Sequence, residues 1–146
     1  MRIIAIIPAH LKSVRFPRKI LLKIHGLEMI EHVRRRALLS GLFDEVYVTS
    51  CDEEILSLVK FHKGNVIKTS DKHLSGTSRI IEACKNIDTS HIVLIQGDEP
   101  LLNPSLIDGL IKLFDDPIVT MATVVSRNIG IRDYLDRNIV KAFLDE

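Results

Sequence analysis

The chain has 146 residues, 46% hydrophobic and 27% charged, the proportions of a globular protein and not of a disordered one. That length holds one domain, or part of a larger one, but not two of full size. With 20 Lys+Arg against 19 Asp+Glu the net charge is +1, which excludes a nucleic-acid coat or a polybasic membrane anchor but leaves room for a local phosphate site.

The N-terminal run, Arg2 to Ile7, is β-branched and bounded by Pro8, which predicts a strand buried on both faces. It has no small-residue cleavage site and does not read as a signal peptide. A polar, turn-rich segment follows from Ala9 to Arg18. Met29, Ile30, Val33, Ala37 and Leu38 then recur at helical spacing, with Gly41 as the stop. Arg34, Arg35 and Arg36 fall on this helix and read as its solvated face. Glu45 to Thr49 is a second strand. Ser50 and Glu53 fit a capping box for a helix whose apolar face is Ile55, Leu56 and Val59.

Asn65 to Lys68 is a short third strand. The polar loop TSDKHLSG leads into a helix with Ile80, Ile81 and Cys84 on its apolar side. Ile92 to Ile95 is a fourth strand, and Asn103 with Pro104 caps a helix that reaches Phe114. Ile118 to Val125 and Asn138 to Leu144 read as two further strands. Strands and helices alternate with short connections, which predicts an α/β domain with a mostly parallel sheet. The last strand runs into Asp145 and Glu146, so the sheet is expected to be incomplete and the chain to be the N-terminal portion of a longer fold.

No apolar run approaches the roughly 20 residues that span a bilayer, so no membrane insertion is expected. Cys51 and Cys84 match no metal-ligand spacing and read as two reduced thiols of a cytoplasmic protein. None of the six histidines pairs at i,i+4, which gives no support for a zinc site. No Gly-x-Ser-x-Gly elbow is present to support a hydrolase triad.

In open α/β sheets ligands collect beyond the C-terminal strand ends, where three polar loops leave this sheet: residues 8–19, 69–77 and 96–100. The first, PAHLKSVRFPRK, carries His10, Lys12, Ser13, Arg15, Arg18 and Lys19. Cations beside the exposed backbone N–H groups of a turn make an anion cradle, although neither the Walker glycines nor a dinucleotide fingerprint is present. A solvated basic loop is the competing reading. The third, IQGDEP, puts Gln96, Asp98 and Glu99 after a buried strand, where a carboxylate facing cations suits a magnesium ion bridging to phosphate. Spacing leaves this level with a loop that is acidic because it is solvated. Ser75, Gly76 and Thr77 stand at a helix start, where backbone donors can hold a polar ligand, but taken alone the signal is weak because the same residues are routine caps.

Three segments together resemble one family. IPAHLKSVRFPRK is similar to the IPARxxSxR(F/L)PxK signature of the sugar-acid cytidylyltransferases, HLSGTSRI to HxSGT(D/E)R(I/V), and IVLIQGDEPL to (I/V)Vx(V/L)QGDEP. They occur in order over essentially the whole chain, and QGDEP with SGT favours the 3-deoxy-manno-octulosonate (Kdo) branch over the sialic-acid branch. The resemblance implies a three-layer α/β/α, Rossmann-like nucleotide-diphospho-sugar transferase fold, with residues 1–146 as its nucleotide-binding part. It implies an enzyme that joins CTP to a 2-keto-3-deoxy sugar acid with Mg²⁺, giving a CMP-sugar and pyrophosphate for lipopolysaccharide biosynthesis, and working as a homodimer when full-length. By matching positions, Ala9 and His10 border the nucleotide, and Ser13, Arg15 and Lys19 hold the triphosphate. Ser75 and Gly76 contact the cytosine side, and Arg79 sits in the motif that closes that pocket. Gln96 lies near nucleotide and sugar, and Asp98 is a magnesium ligand; Arg15, Lys19 and Asp98 are the catalytic set.

The departures from the pattern are His10 for Arg, Arg18 for Gly, Gly26-Leu27-Glu28-Met29 for Gly-Lys-Pro-Met, Ser78 for an acid, and Ser50-Cys51-Asp52 for Thr-Asp-Asp. They point to a divergent member that uses a modified sugar such as an amino-Kdo. The competing expectations are a CMP-sialic acid or other sugar-nucleotide synthetase, a CTP-binding module without turnover, and a generic α/β phosphate-binding domain.

Overall fold

A computed structural model of the chain describes residues 1–13, 16–73 and 76–142. Its sheet is built on β1 (Ile3–Pro8), with Ile3, Ile4, Ala5, Ile6 and Ile7 all buried. A strand apolar on both faces needs cover on both, and the two sides of β1 receive it from different helices. β4 (Glu45–Ser50) and β6 (His91–Leu94) pair with β1 in parallel, and β5 (Asn65–Lys68) pairs with β4, giving the order β5-β4-β1-β6. On one face, Ile4 and Ile6 pack against Ile80 and Ala83 of α3 (Gly76–Cys84). The register sets Ala5 beside Val46 and Ile7 beside Val48 on the other face. There α1 (Met29–Leu38) and α2 (Glu53–Phe61) supply Ile30, Val33, Ala37, Ile55, Leu56 and Val59 to the core. The result is the expected α/β/α layering.

Between β1 and α1 lies a small antiparallel hairpin, β2 (Lys23–Ile24) and β3 (Leu27–Glu28), that periodicity did not indicate. Its turn residues His25 and Gly26 have φ of 49° and 82°, the pair of positive values that a tight two-residue hairpin turn requires.

Three expectations about the helices need correction. Ser50 does not cap α2. It is buried at the end of β4, and its Oγ accepts from the N–H of Asp52, the residue that occupies the cap position. Ile81 is exposed, because the buried stripe of α3 follows Arg79, Ile80 and Ala83. The arginine run is not a solvated face. Arg34 is buried against fully buried Glu31, with Nε–Oε2 2.7 Å and Nη2–Oε1 2.6 Å, and Arg36 donates to the Leu102 carbonyl at 3.1 Å. Of the three, Arg35 is the half-exposed one, and it too donates to Glu31.

α2 ends in a Schellman turn. Gly64 N–H donates to the Val59 carbonyl and Lys63 N–H to the Lys60 carbonyl, each at 2.8 Å. The left-handed position is taken by Lys63, with φ of 57°. A Cβ there is crowded, so Lys63→Gly is expected to stabilise the chain by about 0.5–1 kcal/mol net of the extra freedom of the unfolded glycine. A rise in the urea midpoint at constant m-value checks it.

α4 (Pro104–Lys112) begins as expected, with Asn103 Oδ1 accepting from the Ser105 N–H at 3.1 Å. The chain divides into two units, Met1–Asp108 and Gly109–Glu146. Within the second, the end of α4, a 3-10 turn at Leu113–Asp115 and a short helix, α5 (Ile131–Leu135), are the regular elements among the described residues. The strands expected at 118–125 and 138–142 are not formed, and Phe143 and Leu144 lie outside the described residues. Ile118, Met121, Val124, Val125 and Val140 are exposed. Apolar, β-branched sequence specifies a strand only when a neighbouring backbone takes up its hydrogen bonds, and no ladder includes these residues.

Candidate functional site

The sheet order reverses direction between β1 and β6, which makes the crevice past their C-terminal ends the topological switch point. A pocket of about 180 Å³ lies there. Pro8, Ala9, His10, Ser13 and Lys19 line it from the loop after β1, Gln96, Gly97 and Asp98 from the loop after β6, and Gly76 from the start of α3. The three loops picked out in the sequence therefore converge.

Each wall has a local cause. The first loop leaves β1 with Ala9 N–H on the Thr49 carbonyl at 2.9 Å, and it closes on the Leu11 carbonyl, which accepts from both Ser13 N–H and Arg18 N–H. Asp52 Oδ2 accepts from Leu11 N–H at 2.8 Å, anchoring the loop to the start of α2. Arg18 has φ of 60°, at the position where the resembling pattern has glycine, and its guanidinium pairs with Glu54. The chain then enters a 3-10 turn, Lys19–Leu21, that buries Ile20 in the floor and leaves Lys19 at the pocket.

Lys19 donates to Asp98 across the pocket. Hydrogen bonding and charge from Lys19 hold the Asp98 carboxyl below the usual aspartate range, against the opposing pull of partial burial, and the nearby His10 adds to the effect. Asp98 is aimed there by Gly97, a residue that spacing did not single out. A Cβ on Gly97 would stand 2.9 Å from the Pro8 carbonyl oxygen and 3.2 Å from Ile20 Cδ1. Only glycine lets the loop after β6 lie this close to the end of β1.

The loop before α3 is fastened from behind. Glu82 accepts from the Ser70 N–H at 3.0 Å and from the ring of His73, whose other nitrogen is 3.2 Å from Ser78 Oγ. The His73 hydrogen bond, with that of Ser70, keeps the Glu82 carboxyl below its ordinary range. Arg79 is buried and does not line the pocket. It donates to Thr69 Oγ1 at 2.5 Å and to the Ser70 carbonyl at 3.0 Å, so its visible work is to join this loop to α3. Arg15 and Ser75 lie outside the described residues. Of the remaining expected site residues, Ala9, His10, Ser13, Lys19, Gly76, Gln96 and Asp98 are brought together. Glu54 and Glu82 carried no signal in sequence, because their partners come from other elements; His73 heads the HLSGTSRI motif, but its bond to Glu82 is not legible there.

A larger groove, about 430 Å³, runs beside α3 between Tyr47, Ile67 and Lys85. Lys68 at the end of β5 lines it, but none of the three polar loops at residues 8–19, 69–77 and 96–100 does. Size is the weaker criterion here, and the smaller pocket, on which the three loops converge, is the candidate site.

Residues 4–146 match the cytidylyltransferase family. The chain belongs to that family. It is 42% identical over 146 residues to a protein of Geobacter metallireducens named 3-deoxy-manno-octulosonate cytidylyltransferase, covering 99% of this chain and 58% of the relative. The chain thus spans little more than half the length of the curated relatives it matches. A solved CMP:2-keto-3-deoxy-manno-octonic acid synthetase complexed with CTP superposes with a TM-score of 0.79 at 35% identity, covering 82% of this chain and 50% of that one. A cytidylyltransferase from Leptospira borgpetersenii superposes with a TM-score of 0.69 at 25% identity, covering 78% and 49%. The fold is the Rossmann-like fold of the nucleotidyltransferases. Among the described residues no helix is long and apolar enough to cross a membrane.

Proposed function

We propose that residues 1–146 form the nucleotide-binding portion of a cytidylyltransferase that couples CTP to Kdo or a close analogue, such as an amino-Kdo, in lipopolysaccharide biosynthesis. The observation that carries this reading is the pairing of a cation from the first loop, Lys19, with a carboxylate from the QGDEP loop, Asp98, in a pocket at the switch point. The longer protein is proposed to be cytoplasmic and homodimeric.

In the proposed reaction an oxygen of the sugar acid attacks the α-phosphorus of CTP. The new oxygen–phosphorus bond forms as the bond to the β-phosphate breaks; pyrophosphate leaves with that electron pair, and the hydroxyl proton passes to solvent. No covalent enzyme intermediate is required, so the protein contributes positioning and charge. Lys19, with Arg15 and Ser13 from the same loop, is assigned to the triphosphate, where negative charge grows during transfer. Ala9 and His10 border the nucleotide, Ser75 and Gly76 are assigned to the cytosine side, and Gln96 to the region between nucleotide and sugar. Arg79 is assigned to holding that wall in place. The pocket is smaller than the roughly 300–1,000 Å³ of a whole ligand site, which suits the phosphate end of a nucleotide that lies across an open surface.

The donor set fits magnesium. Asp98 is kept ionised by Lys19 and reaches solvent, and magnesium characteristically takes one or two carboxylates and completes its shell with substrate phosphates and water. Among the described residues no group of three or more His, Cys, Asp or Glu side chains offers an all-protein cage. Asp98 would hold the ion, which when bound neutralises phosphate charge.

Calorimetric titration with CTP, UTP, GTP and ATP, each with Mg²⁺, tests the reading. CTP is expected to bind at least about tenfold more tightly than the other three, a difference of roughly 1.4 kcal/mol. Equal affinity for all four, or binding of none, rejects it. CTP binding without pyrophosphate release on addition of a sugar acid identifies a binding module without turnover.

A further inference from the structure

We propose that the Lys19–Asp98 ion pair is a latch that makes the pocket discriminate against metal-free nucleotide. The inference rests on the assignment of this pocket to CTP and deepens it. Lys19 and Asp98 are 79 residues apart in sequence and meet inside the pocket, with their side chains 33% and 39% exposed. Both are held from behind, Lys19 by the 3-10 turn that buries Ile20 and Asp98 by the close packing of Gly97 on Pro8. Among the described residues neither has another ion-pair partner. The pair is therefore self-neutralising: the cation that would receive a phosphate is already occupied by a carboxylate.

A metal-free triphosphate entering the pocket meets that carboxylate. It must either displace Asp98 from Lys19 or lie beside it, and each course costs Coulomb energy in a partly desolvated site. A triphosphate arriving with a divalent cation meets no such conflict, because the carboxylate turns to the cation and Lys19 to the phosphate. Metal and nucleotide are then coupled through one ion pair, and each must raise the affinity for the other by the same factor.

This has a counter-intuitive consequence. Asp98→Asn, which removes the carboxylate assigned to the metal, is expected to bind metal-free CTP more tightly than the natural protein. The experiment is calorimetric titration of the purified chain with CTP in EDTA and again in excess MgCl₂. The proteins compared are the natural one, Asp98→Asn, Lys19→Gln, the double variant and Glu99→Gln. The last removes one negative charge from the next position, where the side chain is exposed and in no ion pair among the described residues. Unfolding midpoints establish that each is folded.

In EDTA, Asp98→Asn is expected to gain about fivefold or more in CTP affinity, and Glu99→Gln to stay within about twofold, as an exposed charge screened by water does. In the Lys19→Gln background only the relief of carboxylate–phosphate repulsion remains, so the gain is expected to be clearly smaller there than in the natural background, which separates a latch from a general change of field. With MgCl₂, the natural protein is expected to gain more than Asp98→Asn. Equal metal-free affinities for Asp98→Asn and Glu99→Gln, with CTP–Mg²⁺ binding by the natural protein intact, overturn the latch and leave the assignment of the pocket standing. No binding of CTP by the natural protein with Mg²⁺ removes both.

Discussion

Replacing Glu31 by alanine is expected to cost the fold about 3–5 kcal/mol, the usual penalty for leaving one partner of a buried ion pair without the other. Glu31 is fully buried on α1 and accepts two hydrogen bonds from Arg34 and one from Arg35. Arg34 also donates to the His62 carbonyl at 3.2 Å, so this cluster joins α1 to the end of α2. Removing the carboxylate strands a buried guanidinium, and a typical domain has only about 5–15 kcal/mol to lose. Urea unfolding followed by circular dichroism reads the loss directly. A shift of less than about 1 kcal/mol would mean that water reaches Arg34 in solution.

The same residue sets a pH dependence. Burial pushes the Glu31 carboxyl up, but the hydrogen bonds from Arg34 and Arg35 outweigh it and hold the group below the ordinary glutamate range. A folded-state pKa below the unfolded one contributes stability that is fully present above the unfolded value, about 4.3, and is lost as pH falls through the folded value. Glu31→Gln keeps an acceptor and removes the titration. It is expected to lose less stability than the natural protein when both are taken from pH 5 to pH 3, while starting lower at pH 7. Parallel loss in the two proteins would show that Glu31 does not govern acid unfolding.

Gly97→Ala carries the second large effect, and it falls on the site. The added Cβ meets the Pro8 carbonyl oxygen at 2.9 Å, Ile20 Cδ1 at 3.2 Å and Ile30 Cδ1 at 3.3 Å. The isoleucine ends can swing aside. The carbonyl belongs to the last residue of the central strand and cannot move without it. Overpacking of this kind costs about 1–3 kcal/mol. The displacement is delivered to the two neighbours, Gln96 and Asp98, that face the pocket. CTP affinity is therefore expected to fall by about tenfold or more, roughly 1.4 kcal/mol. Gly109→Ala is the control. Its Cβ meets nothing within 4 Å, and within α4 the exchange is expected to stabilise by about 0.5–1 kcal/mol. Unchanged CTP binding in Gly97→Ala would show that the loop after β6 can relax away from β1.

Legibility in the sequence followed the range of the interaction. The strand at Asn65–Lys68 and the helix over Met29–Leu38 lie where the sequence puts them, and in the helix Ile30, Val33 and Ala37, three to four apart, form the buried face while Leu38 is exposed. The Asn103 cap is equally local. The failures share a cause. Ser50 has the right neighbour for a capping box, yet the sheet extends one residue further and takes it into a buried strand end. Three adjacent arginines resemble a solvated face until Glu31, one turn earlier, proves to be buried with Arg34. The run at 118–125 has strand composition but no partner backbone, and composition does not supply one.

The sequence by itself determined the alternation of strands and helices, the three polar loops after strand ends, and, through three ordered motifs, the family. These are encoded by neighbours along the chain, where a turn residue or an apolar period acts whatever the rest of the molecule does. Only the tertiary structure decided that Lys19 meets Asp98, that Glu82 fastens Ser70 and His73 behind the pocket, and that Gly97 must lack a side chain. Each depends on groups brought together from different elements by burial of the isoleucine-rich strand β1, and no spacing along the chain encodes such a distance.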